Sequence, residues 1–337
     1  MDLRPTEEQQ QLVEAFASLY ADAAPPEQVR AAEPLGHLPR LWDRLVATGA
    51  VEMAVPDAAG GGGASLLDLA LVAEQHGRHV APAPLIEAQV AARLLSRLPA
   101  AESGLGEVLA GQRLVTLAVR PARDGVATLV PAGAVADAAV VLDDDRLVLV
   151  AVPEDVRHVI NTGGMPLADL DVGGATVLAS GPDALAAYAT ALDEWRVLTS
   201  AALVGIARRA LEIGVAYVKE RHAFGQPIGG FQGVAHRLAD RATEVDGAEL
   251  LAREAAWAAA EDPGRGAELA AMAFGFAADT ARDTTYYALH FHGGYGFMLE
   301  YDAQLYFRRA RAWAGVLGEP REAYRRVADV RYAAVGS

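Results

Sequence analysis

The pattern of apolar and polar positions divides the chain into three parts. Up to about residue 105, apolar residues recur at helical spacing, as in the run that opens at Pro5 and carries Leu12, Phe16 and Leu19 on one face. Between about 108 and 180, the apolar residues form short β-rich runs bounded by Pro, Gly and Asp. From about 184 onward the pattern is helical again and rich in Ala, which lets helices pack closely as in a bundle.

This order predicts an α+β multi-domain protein. We expect an N-terminal helical domain over residues 1–106, a middle domain over 107–182 that forms an antiparallel sheet or small β-barrel, and a C-terminal four-helix bundle over 183–337. The predicted strands cover residues 114–119, 127–130, 138–142, 146–152 and 156–160.

Local signals predict where some of these elements begin and turn. Ser65 ends a glycine-rich loop and is a candidate N-cap for the helix that follows, with Asp68 in its first turn. Three consecutive aspartates at 143–145 separate two predicted strands. We interpret them as a hairpin turn rather than a metal site, because no further oxygen ligands cluster nearby in the sequence.

The stretch ERHAFGQPIGGFQG, residues 220–233, interrupts what would otherwise be one long helix. A plain turn between helices needs only about two to eight residues with Gly or Pro. It does not need Arg221, Phe224 and Gln232, so the segment requires a further explanation. The apolar face of the preceding helix is marked by Leu203, Ile206, Ala210, Ile213 and Tyr217.

A second glycine-bearing stretch, residues 290–311, follows another predicted helix. Gly293 and Gly294 are a natural helix stop, and alone they would indicate only a cap and a turn. His290 and His292 are not expected to share a metal ion, because alternate residues on a helix point about 200° apart and no third ligand is in sight. We therefore predict no metal site.

Composition and charge exclude several classes of protein. The chain has 29 basic and 44 acidic residues and a net charge of −15, which disfavours nucleic acid and anionic membranes as partners. It has no Cys, which excludes disulfides, a thiolate nucleophile and a Cys-based zinc site. The polar N-terminus does not have the pattern of a signal peptide, and no apolar run reaches the ~18 residues of a membrane span. We therefore expect a soluble, cytoplasmic protein.

Taken together, these stretches resemble the acyl-CoA dehydrogenase flavoprotein family over nearly the whole chain. The strongest similarity is a pair of motifs: R-x-x-F-G-x-P-I-x-x-x-Q, from Arg221 to Gln232, and H-G-G-Y-G-F-M-x-E-Y, from His292 to Tyr301. The glycine-rich loop with its following helix at 56–78 and the order of the three domains are similar to the family as well.

The resemblance implies that both glycine-bearing segments hold FAD, and that this FAD belongs to a neighbouring subunit. Arg221 would meet the pyrophosphate, while Phe224 and Gln232 would pack against the cofactor and hydrogen-bond to it. The family's reaction removes the α-proton of an acyl-CoA thioester with a carboxylate and passes the β-hydride to the flavin.

The resemblance also assigns roles to the second segment. The main chain at Gly293, Gly294 and Gly296 would approach the adenosine end of FAD, because a glycine has no Cβ in the way. His290 stands where the family has an adenine-side Gln, and Arg196 corresponds to a family arginine on the substrate side.

The sequence departs from the family where the chain's own flavin and catalytic base would lie. The middle domain is short, lacks the T-E-P-x-x-G-S-D segment and has no Trp between residues 43 and 194. The usual position of the catalytic Glu falls on Leu317, and a second known base position falls on Trp195. Glu319 and Glu194 lie nearby, but we interpret both as surface or capping carboxylates.

Half of the functional set is therefore present and half is missing, which is most simply explained by a hetero-oligomer. The chain resembles the non-catalytic-type subunit of actinobacterial α2β2 acyl-CoA dehydrogenases of steroid side-chain breakdown. Its expected partners are a related catalytic subunit, acyl-CoA and an electron-transfer protein. The alternatives are a homotetramer whose base is shifted to Glu319 or Glu194, a flavin-free scaffold subunit, and a flavin monooxygenase on the same fold.

Overall fold

The fold is described from a computed structural model, which describes residues 2–98 and 104–333. These residues form eleven α-helices and eight β-strands in the order helices, strands, helices. The helices are α1 Glu7–Ala23, α2 Pro26–Ala31, α3 Pro39–Ala47, α4 Leu66–Arg78, α5 Leu85–Leu95, α6 Leu105–Leu109, α7 Pro182–Glu220, α8 Gln232–Glu261, α9 Pro263–His292, α10 Ala303–Gly315 and α11 Glu322–Ala333. The strands are β1 Val115–Leu117, β2 Val126–Val130, β3 Ala138–Asp143, β4 Arg146–Ala151, β5 Ala168–Asp171, β6 Thr176–Ser180, β7 His222–Ala223 and β8 Gln226–Pro227.

The chain forms two compact units, and each unit combines separate stretches of the sequence. The bundle unit comprises Met1–Pro26, Ala70–Ala81 and Arg196–Ser337, and the sheet unit comprises Glu27–Leu69 and Pro82–Trp195. Helix α7 runs without a break through 39 residues, so its first third belongs to the sheet unit and the rest to the bundle unit. The predicted domain boundaries after residues 106 and 182 stay predictions.

The sheet unit confirms most of the predicted strands and corrects their arrangement. Strands β1, β3, β4 and β6 form one sheet in that spatial order, and β2 pairs with β5. The β1–β3 pair is parallel, whereas we predicted only antiparallel pairing. Within the described residues the sheets do not close into a barrel, so the predicted sheet, and not the predicted barrel, is observed.

In the sheet unit, one predicted strand is wrong and two observed strands, β5 and β6, were not predicted; the short strands β7 and β8 of the bundle unit were not predicted either. Residues 156–160 make only an isolated bridge from His158 to Ala168. Val156 and Val159 line an open surface groove, and side-chain hydrogen bonds from His158 and Asn161 to the carbonyl oxygen of Met165 hold the chain as a loop. Strands β5 and β6 were missed because they are short, and β5 carries two aspartates, which are depleted in strands.

The predicted caps and turn are confirmed. The Asp68 backbone N–H donates to Ser65 Oγ at 3.2 Å, and the Ser65 backbone N–H donates to the Asp68 carboxylate at 2.8 Å, which is a reciprocal cap on α4. Asp143 pairs with Arg146 across the β3–β4 hairpin, and Asp144 in the turn has a φ of 52°. An aspartate tolerates this left-handed conformation better than most residues do.

Small residues form the core of the bundle unit. Ala248, Ala252 and Ala255 are buried on α8, as are Ala270, Ala273 and Ala277 on α9, at the spacing of one helical face. Helix α9 packs against α8, α10 and α11. Among the described residues, no helix is both long enough and apolar enough to cross a bilayer.

Two glycines allow helices α4 and α7 to cross in direct backbone contact in the bundle unit. A Cβ on Gly77 of α4 would lie 1.8 Å from the carbonyl oxygen of Ala202 on α7, and a Cβ on Gly205 would lie 2.0 Å from that of Glu74. The two backbones therefore touch at this crossing, which only glycine permits on both sides.

Candidate functional site

The break between α7 and α8 is a small β-hairpin with an exposed aromatic tip. Strand β7 pairs with β8 in antiparallel fashion, and the turn residues Phe224 and Gly225 have φ values of 51° and 84°. Two consecutive positive φ angles are the mark of the mirror-image turns that suit two-residue hairpins. A positive φ is rare for a phenylalanine. The Phe224 side chain does not pack into the protein there but is 96% exposed. We call residues 221–231 the hairpin segment.

The hairpin segment holds Arg221 at the end of α7 with its side chain in solvent. The Arg221 backbone N–H donates to Tyr217, and its carbonyl accepts from the Ile228 N–H, both at 2.8 Å. In residues 2–98 and 104–333, the structure gives the Arg221 guanidinium no hydrogen bond or ion pair. Gln232 is exposed as the first residue of α8, whose N-terminus has no side-chain cap. Unsatisfied N–H groups at a helix N-terminus favour an anion nearby.

The second glycine-bearing segment is a tight turn that follows α9. Gly293 has a φ of 60°, and residues Gly293–Phe297 form a 3₁₀ turn, which we call the GGYG turn. No atom lies within 4 Å of the place where a Cβ on Gly293 or Gly294 would be, so the main chain is open there. Gly296 differs, because its Cβ would lie 2.5 Å from the Leu289 carbonyl oxygen; packing alone therefore requires a glycine at this position.

Packing brings the hairpin segment and the GGYG turn to the same end of the bundle unit. Tyr217, near the end of α7, stacks on His292, the last residue of α9, with 3.9 Å between ring centroids. Ile228 of the hairpin segment and Phe291 of α9 pack on the same apolar cluster, which is built on Leu211, Val218 and Leu238. The two motifs lie about 70 residues apart in the sequence, yet a single cluster anchors both.

The two histidines at the end of α9 have separate surroundings. His292 is buried, and its Nδ1–H donates to the Ala288 carbonyl oxygen at 2.6 Å. His290 is exposed and stacks on the Tyr286 ring at 5.6 Å. Only His290 therefore presents its ring to solvent for a ligand.

Large apolar side chains of the turn region are exposed, beyond what the sequence predicted. We call this group the apolar turn patch, and its most exposed member is Leu299, at 71%. The patch consists of Tyr295, Phe297, Met298, Leu299 and Tyr301. Five exposed apolar side chains within seven consecutive residues are typical of an interaction site.

The predicted position of the catalytic Glu lies in a small pocket of the bundle unit. The pocket encloses about 240 Å³ around Leu317 and Gly318, with buried Arg196 and Phe274 on its inner side. Glu319 also lines the pocket but is exposed to solvent. A leucine has no group that accepts a proton, so no base lies at this position.

Glu194 is buried in the sheet unit and pairs with two arginines, one within α5 and one just after the end of that helix. The Arg93 guanidinium donates to the Glu194 carboxylate at 2.9 and 3.0 Å, and Arg97 donates to both of its oxygens. Burial opposes ionisation, but Arg93 and Arg97 together outweigh it and hold the pKa of Glu194 below its ordinary value. Both oxygens of the Glu194 carboxylate therefore accept hydrogen bonds from arginine, and its lowered pKa makes it a weak base.

Sequence reasoning missed the partners of Glu194. Arg93, near the end of α5, and Arg97, just after it, lie four residues apart in a largely apolar stretch, and both guanidinium groups reach Glu194. This was a detectable signal for a buried counter-charge. Glu87 was missed as well: burial raises the pKa of this α5 carboxylate, which interacts with the Trp195 side chain.

The T-E-P-x-x-G-S-D segment is missing at the end of β1. The backbone groups there form hydrogen bonds within the chain. The Ala118 N–H donates to Val140, and the Ala118 carbonyl accepts from the Tyr188 hydroxyl at 2.8 Å. The Ala122 N–H likewise donates to Leu142. These main-chain groups are therefore already satisfied by the protein itself.

Two family models match the chain: the acyl-CoA dehydrogenase N-terminal domain over residues 6–102, and the acyl-CoA dehydrogenase C-terminal domain over residues 185–319. The acyl-CoA dehydrogenase IpdE2 of Mycolicibacterium smegmatis is 33% identical over 329 residues, which cover 96% of this chain and 98% of the relative. The chain belongs to the acyl-CoA dehydrogenase family. Acyl-CoA dehydrogenases are FAD-binding oxidoreductases that act on acyl-CoA, and the resemblance drawn from the sequence is confirmed.

Solved structures of acyl-CoA dehydrogenases share the complete fold. A chain of the ChsE4-ChsE5 complex from Mycobacterium tuberculosis superimposes with a TM-score of 0.88 at 28% identity, covering 99% of both chains. A chain from a variant of the Tcur3481-Tcur3483 steroid ACAD also has a TM-score of 0.88 at 28% identity, covering 98% of this chain and 99% of the other. The predicted fold class is thereby confirmed.

Proposed function

We propose that this chain is the non-catalytic-type subunit of a heteromeric acyl-CoA dehydrogenase that introduces an α,β double bond into an acyl-CoA thioester. Its part is to hold the FAD of a related partner subunit with the hairpin segment and the GGYG turn. The observation that carries the proposal is the shared apolar cluster together with the Tyr217–His292 stack, which places both motifs at one exposed end of the bundle unit.

The residues at this end fit a dinucleotide that carries a pyrophosphate. The solvent-exposed Arg221 fork can donate two parallel hydrogen bonds to phosphate oxygens. The open main chain at Gly293 and Gly294 admits close approach of a ligand, and the exposed His290 ring offers a stacking surface. When bound, FAD supplies the ring that accepts hydride from the acyl group. This chain binds and orients the cofactor.

Three features support placing both the proton abstraction and the flavin-binding middle domain in the partner. Leu317 occupies the usual base position and cannot accept a proton. Glu194 is paired with two arginines and has a lowered pKa, which makes it a poor base. The backbone around Ala118 is bonded internally, so it does not present free groups to a flavin of the chain's own.

The relatives support a proposal for the partner and for the substrate class. Both structural relatives at 28% identity come from paired assemblies, a ChsE4-ChsE5 complex and a Tcur3481-Tcur3483 steroid ACAD. By analogy we propose an α2β2 assembly with a related catalytic subunit, a steroid side-chain acyl-CoA as substrate, an electron-transfer protein as acceptor, and a cytoplasmic location. Of the alternatives, a homotetramer with a shifted base would have to use Glu319, since Glu194 is occupied.

Replacing Arg221 tests the role of the hairpin segment. In the complex with an unaltered partner, we expect Arg221→Ala to weaken FAD binding by about ten- to hundredfold, because a charge-assisted hydrogen bond contributes ~1.5–3 kcal/mol. Arg221→Lys should restore only part of this, since an ammonium lacks the planar fork. Titration of flavin absorbance, recorded beside a melting curve, measures both effects.

The matched control is Arg40→Ala, which removes another exposed arginine, on α3 of the sheet unit. It should leave FAD affinity unchanged. If Arg221→Ala bound FAD as tightly as the unaltered complex, the cross-subunit role of the hairpin segment would be rejected. A complex that assembles but contains no flavin at all would instead indicate a scaffold subunit.

A further inference from the structure

The pocket at Leu317 has chemistry of its own, apart from the FAD-binding end of the bundle unit. Its inner wall combines a buried guanidinium, Arg196, with the ring of Phe274 and the side chain of Leu317. Its outer wall is α11, which contributes Ala323 and Arg326. The lining thus combines two arginines and apolar side chains, with Glu319 and Glu322 as its two acidic residues.

Helix α11 is fixed in place as a wall. A Cβ on Gly275 of α9 would lie 3.0 Å from the Tyr324 ring, and the Tyr324 hydroxyl donates to Asp279 at 2.9 Å. Arg331 pairs with Glu268 further along the helix. The pocket therefore has two preformed sides, which lowers the ordering cost of binding a ligand.

Both arginines already have partners within the protein. A guanidinium has five N–H donors, so an arginine can bind a ligand carboxylate in addition to groups of the protein. Carboxylates suit this arrangement because arginine binds them in a bidentate, planar geometry.

Volume and charge narrow the ligand class. At about 240 Å³ the pocket holds roughly eight water volumes, just below the usual range for small-molecule sites, so only a small ligand fits. At its edge, the Glu322 carboxylate folds over Gly318, 3.4 Å from where a Cβ would lie. Glu319 lines the pocket as well, and these two negative charges oppose a dianion more strongly than a monoanion.

We propose that this pocket binds a small monocarboxylate with a short unbranched apolar tail, and binds it without turnover. The carboxylate would meet Arg326 and Arg196, and the tail would pack on Phe274 and Leu317. The chain would then use the former base position as a ligand-sensing site. This inference goes beyond the proposed function and requires neither FAD nor a partner subunit.

Calorimetric titration of the full chain with hexanoate tests the proposal, with hexanol as a neutral probe of the same length. We expect saturable hexanoate binding, and at least tenfold weaker binding of hexanol and of glutarate, a dianion. Arg326→Ala should weaken hexanoate binding at least tenfold. Its neighbour Arg325→Ala, an exposed arginine of the same helix, is the matched control and should change nothing.

Glu322→Gln supplies a test in the opposite direction. Removing this edge charge should tighten hexanoate binding and should reduce the discrimination against glutarate. If Arg326→Ala fails to fold by its melting curve, Glu322→Gln alone decides the question. Absence of saturable hexanoate binding at millimolar concentration, equal effects of the two arginine variants, or a weaker affinity in Glu322→Gln would each overturn the proposal.

Discussion

At the scale of single residues, the carboxylates near the two base positions have different physical roles. Glu194 pairs with two arginines in a buried cluster, whereas Glu319 is exposed at the edge of a pocket. Removing one partner of a buried ion pair leaves the remaining charge without compensation, which is far more costly than losing an exposed carboxylate.

We therefore predict different losses of stability, but similar turnover, for two isosteric variants. Glu194→Gln should lower the free energy of unfolding by about 3 kcal/mol, because Arg93 and Arg97 lose their counter-charge. Glu319→Gln should change it by less than about 0.5 kcal/mol. Both should keep turnover of the assembled enzyme within about tenfold, or ~1.4 kcal/mol of barrier. Denaturant unfolding and steady-state assays measure these quantities.

A loss of several orders of magnitude in turnover, in either variant with the assembly intact, would return the catalytic base to this chain. For Glu319 that result would favour the homotetramer with a shifted base.

Some residue roles were readable from the sequence and others were not. The Ser65–Asp68 cap was predictable because its two members lie three residues apart. The pairing of Arg93 with Glu194 joins residues about a hundred positions apart, so no local pattern specifies it. Likewise, the motif predicts a ligand role for Gly296, whereas its contact with Leu289 shows a packing requirement that spacing does not reveal.

At the scale of elements, the α4–α7 crossing depends on the absence of two side chains. Gly77→Ala and Gly205→Ala would each drive a methyl group into a carbonyl of the facing helix, and backbone cannot move aside as a flexible side chain can. Each variant should therefore lose at least ~2 kcal/mol of stability through overpacking.

The control for this crossing is Gly266→Ala, at a helical position of α9 with no atom within 4 Å of the new Cβ. It should be neutral or stabilise the chain by up to about 1 kcal/mol, since alanine restricts the unfolded chain. Chemical denaturation compares the three variants. Stabilities for Gly77→Ala and Gly205→Ala close to that of the control would show that the helices separate at little cost.

A buried histidine gives the bundle unit a predictable response to acid. His76 of α4 faces the Tyr20 hydroxyl of α1 at 3.2 Å and stacks on Trp313 of α10, and burial lowers its pKa from an ordinary value of 6.5 to about 3. As the pH falls below 6.5, the unfolded chain therefore binds a proton that the folded chain excludes. The free energy of unfolding should decrease across the window from pH 6.5 to about 3.

His76→Leu removes this proton site and should reduce the pH dependence of stability in that window, even where it lowers stability at neutral pH. His79, whose pKa burial also lowers from 6.5 to about 4, should retain part of the slope. His236→Leu, on the exposed face of α8, is the control and should leave the slope unchanged. Urea unfolding at a series of pH values gives both slopes. An unchanged slope in His76→Leu would mean that another group governs the acid response.

The type of most elements could be predicted, but the pairing of strands could not. The long alanine-rich helices α7 to α9 follow from periodicity alone. Whether β1 joins β3 in parallel depends on contacts across 20 residues or more, which alternation within one strand does not encode. The strand prediction at 156–160 failed for a related reason, since β-branched residues also suit a groove-lining loop.

At the scale of the whole molecule, exposed apolar surface and a charge of −15 occur together. The acidic charge disfavours ordered packing of identical copies, while the apolar turn patch favours contact with any surface that covers it, so copies without a partner should associate without a defined geometry. We predict that the chain purified alone forms ill-defined oligomers, whereas co-expression with a related acyl-CoA dehydrogenase subunit yields a tetramer. Light scattering coupled to size-exclusion chromatography determines the mass of each species.

A point variant tests whether the apolar turn patch is needed for assembly of the tetramer. Leu299→Asp should reduce the tetramer, and Ile160→Asp, at another highly exposed apolar residue in the sheet unit, should not. A well-behaved monomer from the isolated chain would argue strongly against an obligate partner.

The exposed apolar turn patch also has a consequence for the abundance of the protein in a cell. An unassembled copy displays the kind of surface that chaperones and proteases recognise, so its lifetime should depend on how soon a partner covers the patch. Copies made in excess of the partner would be removed, and the ratio of the two subunits would be set by degradation as well as by synthesis. A few uncovered aromatic and aliphatic side chains would in this way adjust the supply of one protein to that of another.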